Sequence, residues 1–157
     1  MVWAGFSYRG RTDLDLVDGC LNAHSYLDQL LEVAYHHMVA DFGSTNNVLL
    51  QEDLVPPHNA KSTRAAQREL GIKVLPWVGQ KPDLNPIENA WAELERRLRR
   101  RPDTPRTKTQ LFLALEAEWR GIPNAFFENL ADSMVGRCRA VVRIPWLAHE
   151  ILVKKRR

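Results

Sequence analysis

Lys81-Pro82-Asp83-Leu84-Asn85-Pro86-Ile87-Glu88-Asn89-Ala90-Trp91 is the stretch on which the reading of this chain turns. It predicts a loop running into a helix. Asn85 is a good N-cap, Pro86 suits the first helical position because an N–H there would have no partner, and Glu88 stands three residues past the cap. That is capping-box spacing, with Asn in the place of Ser or Thr. Ile87, Trp91, Leu94 and Leu98 then recur at steps of four, three and four, so one helix face is apolar. Glu88 lies beside this stripe. It can close the capping box or point along the edge of a cleft, and the pattern permits both.

Upstream, Val48-Leu49-Leu50 is a short continuous apolar run, the pattern of a central strand buried on both faces. Asp53 falls just past its carboxyl end, the edge where open α/β sheets place ligands, so it is a candidate metal-binding carboxylate. A solvated Asp at the start of a loop is the alternative. His58 and Asn59 precede a polar helix that ends at Leu70 and is stopped by Gly71; His58 suits a loop or cap role as well as chemistry. Ile72-Lys73-Val74-Leu75 predicts the next strand, Pro76 breaks it, and Trp77 opens the loop back to Lys81.

At the N-terminus, Met1 to Ser7 reads as a strand, Tyr8-Arg9-Gly10 as a turn, and the run through Leu14, Leu16 and Val17 as a half-buried edge strand with Leu14 and Leu16 on one face. Asn22 caps a helix carrying Tyr26, Leu27, Leu30, Leu31, Ala34 and Met38 at helical spacing, and Asp41 to Asn47 reads as loop. Past Pro102 and Pro105, a helix from about Lys108 to Arg120 places Leu111, Leu115 and Trp119 on one face. Gly121-Ile122-Pro123 breaks it before a last helix with Phe126, Phe127, Leu130 and Met134.

A chain of 157 residues can bury a real core, and its 45% hydrophobic and 26% charged fractions are those of a globular protein. The net charge of +3 is mild, but Arg96, Arg97, Arg99, Arg100, Arg101, Arg106 and Lys108 crowd the end of one helix and the turn after it. Glu93–Arg97 and Glu95–Arg99 are i,i+4 pairs in the better orientation, so a solvated face accounts for part of this run; the excess favours phosphate contact. Cys20 and Cys138 lack metal-ligand spacing and are expected as small apolar side chains in a reducing compartment. No apolar run approaches a membrane span and no leader pattern opens the chain, which predicts an intracellular protein.

Pro82-Asp83-Leu84-Asn85-Pro86-Ile87-Glu88-Asn89 followed by Trp91 resembles the surroundings of the third catalytic carboxylate in the Tc/mariner superfamily of DNA transposases. In the Tc branch, thirty-four residues separate that glutamate from the second carboxylate, and the same interval here leads from Glu88 back to Asp53. Asp53 stands in Gln51-Glu52-Asp53-Leu54-Val55-Pro56-Pro57-His58-Asn59-Ala60-Lys61, where the family has Gln-Gln-Asp-Asn-Ala-Pro-Cys-His-Thr-Ala-Lys. The likeness extends from Met1, through Asn22-Ala23 and Tyr26, to about Arg143; Ile144-Pro145-Trp146 and the basic end Lys154-Lys155-Arg156-Arg157 depart from it, as do Val78, Gly79 and Lys81.

The resemblance implies an α/β chain, an incomplete ribonuclease H-like fold with a mixed sheet flanked by helices and a C-terminal helical tail. It divides the chain into a partial core over 1–101, a helical extension over 102–143 and a divergent basic tail over 144–157. It implies Asp53 and Glu88 as catalytic residues and ligands for Mg²⁺ or Mn²⁺, with DNA as partner, the basic residues from Arg96 to Lys108 as its contacts, and a nuclear location. The family's first catalytic Asp lies on a strand preceding the residues that match Met1-Val2-Trp3, and no Asp of this sequence replaces it. The expectation is therefore a truncated copy with weak metal binding, unable to cut DNA alone. The strands at Met1–Ser7 and Val48–Leu50 would then pair directly, leave a gap, or recruit another chain, in a homodimer or a complex. The alternatives are a non-catalytic nucleic-acid-binding module and a helical protein-interaction domain.

Overall fold

Val2 and Trp3 point to opposite faces of strand β1 (Val2–Trp3), and the two hydrophobic cores of the protein form on those two faces. The computed structural model describes residues 1–46, 48–53, 55–76 and 84–143, apart from the side chains of residues 29, 30 and 140–143. The expectations for Leu54, for Trp77 to Asp83 and for the tail over 144–157 fall outside the described residues.

β1 pairs antiparallel with β2 (Asp15–Leu16), Val2 opposite Leu16 and Trp3 opposite Asp15. Leu14 is buried and Leu16 is 36% exposed, so the expected shared face does not form. Pairing covers only two residues, and the chain reaches it from Leu14 without strand alternation; Leu14 enters one core and Val17 the other.

Asn22 caps the next helical run with a full capping box: its side chain accepts from the His24 and Ser25 amides, and the Ser25 side chain binds back to the Asn22 backbone. The run passes from α1 (Ala23–Ser25) through a π-helical segment (Tyr26–Leu31) into α2 (Glu32–Phe42). It thus continues past Asp41, where a loop was expected, because Asp41 is held by the hairpin: Ser7 Oγ donates to its carboxylate at 2.7 Å and Arg9 to its carbonyl. Gly43, at φ 75°, ends α2 in the left-handed conformation and returns its amide to Val39.

β3 (Leu49–Leu50) runs parallel to β4 (Lys73–Val74), with α3 (Pro56–Asn59) and α4 (Lys61–Glu69) between them in sequence. This is a crossover unit, as a parallel pair requires. The expected burial of β3 on both faces is corrected: Leu49 is 58% exposed, since among the described residues β3 has a strand partner on one side only. β1–β2 and β3–β4 are two separate two-stranded sheets, so β1 and β3 do not pair directly.

α5 (Pro86–Arg99), α6 (Lys108–Gly121) and α7 (Asn124–Arg143) cover the Val2 face. Trp119 is the centre of this core, fully buried, stacked on Trp91 and edge-on to Phe127, with its indole N–H donating to the Thr12 carbonyl at 2.9 Å. The face of α6 is rotated from the expected one: Leu115 and Trp119 pack inward with Phe112 and Ala114, while Leu111 is exposed. Thr107 caps the helix through the Gln110 amide, and Leu111 follows the outer side of that first turn. The second core, on the Trp3 face, gathers Tyr26, Leu31, Ala34 and Met38 against Val17 and Ile72. Cys20 and Cys138 are both free and exposed, against the expectation of apolar packing: Cys20 follows the Gly19 turn and Cys138 lies on the outer side of α7.

Candidate active site

The end of β3 is joined to the start of α5. Gln51 Nε2 donates to Asn85 Oδ1 at 3.3 Å, and the same oxygen caps α5 by accepting the Ile87 amide at 3.3 Å. The segment that carries Asp53 and the helix that carries Glu88 therefore meet through one side-chain pair. Glu88 sits in the first turn of α5, exposed, and its carboxylate has no hydrogen-bond or ion-pair partner among the described residues. It does not close the capping box, which leaves it available in the position beside the apolar stripe.

Glu52 and Asp53, adjacent in sequence, take opposite environments. Glu52 turns inward, where Oε2 accepts the Tyr26 hydroxyl at 2.5 Å and Oε1 accepts Gln67 Nε2 at 2.7 Å. Burial, then the Glu52 charge, pushes the Tyr26 phenol far above its ordinary range, so it stays a donor. Asp53 turns outward, its side chain 53% exposed. Its Oδ1 lies 2.7 Å from His58 Nδ1 and accepts the Val55 amide at 3.4 Å, and its Oδ2 has no partner among the described residues. His58 also places Nδ1 3.2 Å from the Asp53 carbonyl and packs its ring 4.4 Å from that of Tyr26. Because a carboxylate only accepts, Nδ1 is the donor in this contact, and the buried Nε2 is unpartnered among the described residues.

Neither the Glu52–Tyr26–Gln67 network nor the His58–Asp53 contact was specific in sequence. One usable signal exists: Thr63 and Gln67, four apart on an otherwise polar helix, are both buried, Thr63 Oγ1 donating to the Pro57 carbonyl at 2.7 Å. A cleft of about 450 Å³ opens beside them, lined by Asp53, His58, Arg64, Arg68 and an apolar side of Ile72, Leu75 and Pro76.

Among the described residues no group of three or more His, Cys, Asp or Glu is placed to hold a metal ion. Asp53 Oδ2 and the Glu88 carboxylate are each without a partner among the described residues, and carboxylate oxygens are the donors that hard divalent cations such as Mg²⁺ and Mn²⁺ take.

The basic run is largely neutralised. Arg96 and Arg97 both bind Glu93, Arg99 binds Glu95, Arg101 bridges Asp103 and Glu118, and Lys108 binds Asp18. Arg97 also donates to the Gly121 carbonyl at 3.0 Å, tying α5 to the end of α6. The Arg96 hydrogen bond, followed by that of Arg97, holds the Glu93 carboxyl down to about 2 against the opposing effect of burial. The side chains of Arg100 and Arg106 have no such partner among the described residues.

This α/β arrangement, two short sheets flanked by helices, has the ribonuclease H-like fold of a transposase catalytic domain. The catalytic domain of Mos1 mariner transposase superposes with a TM-score of 0.75 at 18% identity, over 87% of this chain and 69% of that one. Mos1 catalytic domains with raltegravir and Mn or Mg match with TM-scores of 0.73 and 0.72, each at 20% identity over 87% of this chain and 69% of that chain. In sequence, the chain is homologous to the Tc1 and Tcb transposases. It is 34% identical to the Tcb1 transposase of Caenorhabditis briggsae over 142 residues and 32% identical to the Tc1 transposase of Caenorhabditis elegans over 143, in both cases 90% of this chain and 50% of the relative. The chain thus spans about half the length of the curated relatives it matches. No protein-family model matches it. No helix among the described residues is long and apolar enough to cross a membrane.

Proposed function

We propose that this chain is part of a transposase catalytic domain that acts on DNA phosphodiesters in the nucleus, with Asp53 and Glu88 as two of its acidic residues. The observation that carries this reading is the Gln51–Asn85 hydrogen bond, which joins the two motif segments at their starts. The Mos1 domains crystallised with Mn and Mg support a divalent ion, and a Mos1 paired-end complex supports DNA as partner. Bound between Asp53 and Glu88, such an ion would polarise a phosphoryl oxygen. By holding Oδ1, His58 would orient Asp53 and leave Oδ2 free to hold such an ion. Glu52 stays out of the chemistry, since both of its oxygens are taken by Tyr26 and Gln67.

The division at residues 101 and 143 belongs to the same proposal, with α6 and α7 as a helical extension that shares the Trp119 core with β1 and α5. β1 and β3 each have one strand partner among the described residues, and their other edges would accept a further strand, whether from this protein, a second copy or another chain. DNA contacts from the basic run are assigned to Arg100 and Arg106, whose charges have no ion-pair partner among the described residues. Isothermal titration with Mn²⁺ tests the metal assignment: about one ion should bind per chain, weakly, and Asp53→Ala and Glu88→Ala should each abolish it. Binding that survives both substitutions would place the ion elsewhere.

The second reading is a non-catalytic nucleic-acid-binding module. It is favoured by the absence of a third acidic ligand among the described residues, and duplex binding without metal uptake would select it.

A further inference from the structure

We propose that the cleft beside Asp53 is a seat for a DNA backbone phosphate, gripped by Arg64 and Arg68; this rests on the transposase reading and adds to it the place where the substrate strand lies. Thr63 and Gln67 are the buried side chains of α4, pinned to the Pro57 carbonyl and to Glu52. Pinning these two turns the residues that follow them, Arg64 and Arg68, toward the rim of the cleft that Asp53 also lines. Four residues apart on one helix face, their stems lie about 5–6 Å from each other, close enough for both guanidinium groups to hold one phosphate.

Their charge, like that of Arg100 and Arg106, is matched by no carboxylate among the described residues. Arg96, Arg97, Arg99, Arg101 and Arg120 are each paired with a carboxylate. Neither Arg64 nor Arg68 makes an ion pair among the described residues, although Glu52 and Asp53 line the same cleft. Arg64 donates to the neutral Asn59 at 2.5 Å, which leaves its charge uncompensated. The facing side of Ile72, Leu75 and Pro76 suits the sugar and base of a nucleotide. A phosphate held on the arginine side would lie next to the carboxylate assigned to the metal, which is where a cleavable phosphodiester has to be.

The test measures fluorescence anisotropy of a fluorescein-labelled duplex of about 20 base pairs over a series of salt concentrations, with the full chain, its Arg64→Gln/Arg68→Gln variant and its Arg100→Gln/Arg106→Gln variant. Loss of two phosphate contacts should reduce the slope of log affinity against log salt by about 2 in the Arg64/Arg68 variant. Should that pair of changes disturb folding, Arg68→Gln alone, whose side chain has no partner among the described residues, should reduce it by about 1. An unchanged slope in the Arg64/Arg68 variant, with a reduced one in the Arg100/Arg106 variant, overturns the cleft site and leaves the transposase reading standing. A wild-type chain that does not bind the duplex overturns both.

Discussion

Gln51 and Asn85 are hydrogen-bonded, 3.3 Å apart, and this pair links the two segments that carry Asp53 and Glu88. Asn85 Oδ1 serves two donors at once, the Gln51 amide and the Ile87 backbone N–H. The cap of α5 is therefore also the clasp that positions α5 against the end of β3. Asn85→Ala removes both bonds and should lower stability by about 1–2 kcal/mol in urea denaturation. Asn85→Asp keeps the cap and an acceptor for Gln51, so it should recover most of the loss.

Trp119 supports a second prediction. Its indole N–H satisfies the Thr12 carbonyl inside the core, and its ring packs on Trp91 and Phe127. Trp119→Ala should cost about 3–5 kcal/mol through the cavity it leaves. Trp119→Phe fills much of that volume but orphans the carbonyl, for about 1–3 kcal/mol, which thermal denaturation followed by near-ultraviolet dichroism will separate.

How much of this was legible in sequence depended on range. The helix caps at Asn85 and Asn22 and the paired acids of the Asp53–Glu88 interval are local or fixed-interval patterns; the two caps are seen directly in the helix starts, although the box closes at Asn22 through Ser25 and not at Asn85 through Glu88. Leu49 and Leu16 misled because an apolar run does not say how many strands flank it, and both are exposed where pairing stops. The Tyr26–Glu52–Gln67 network joins three elements far apart in sequence, with Tyr26 at the start of a π-helical segment that no residue pattern announces. The arginine run was legible as charge and, at Glu93–Arg97 and Glu95–Arg99, as pairing; the pairs of Arg101 and Lys108 were not, since Glu118 and Asp18 lie outside the run itself.

Glu93 gives a pH dependence with a definite sign. Its carboxyl is held down to about 2 from the ordinary 4.5 by Arg96 and Arg97. A depressed carboxyl stabilises the folded chain above its unfolded value, and that contribution is lost as pH falls from 4.5 toward 2. Wild type should therefore melt above Glu93→Gln at neutral pH, and the two melting temperatures should converge as pH drops through that window. A gap independent of pH would mean that Glu93 acts through packing alone.

Residues 1–157 by themselves should not nick supercoiled DNA in Mg²⁺ or Mn²⁺. Two-ion cleavage needs a carboxylate to join Asp53 and Glu88, and no described residue is placed to supply it. Agarose-gel assays against the Asp53→Ala/Glu88→Ala variant check this: nicking by the wild type that the variant lacks would reveal a further ligand.

The central claim is that Asp53 and Glu88 face one another across a single cation. Crystals grown in Mn²⁺, with anomalous diffraction recorded at the manganese edge, test it most directly. The account predicts one anomalous peak in contact with Asp53 Oδ2 and the Glu88 carboxylate, with the two carboxyl groups on the order of 4–8 Å apart. Carboxylates on opposite sides of the sheet, or a peak bound by neither residue, would contradict it.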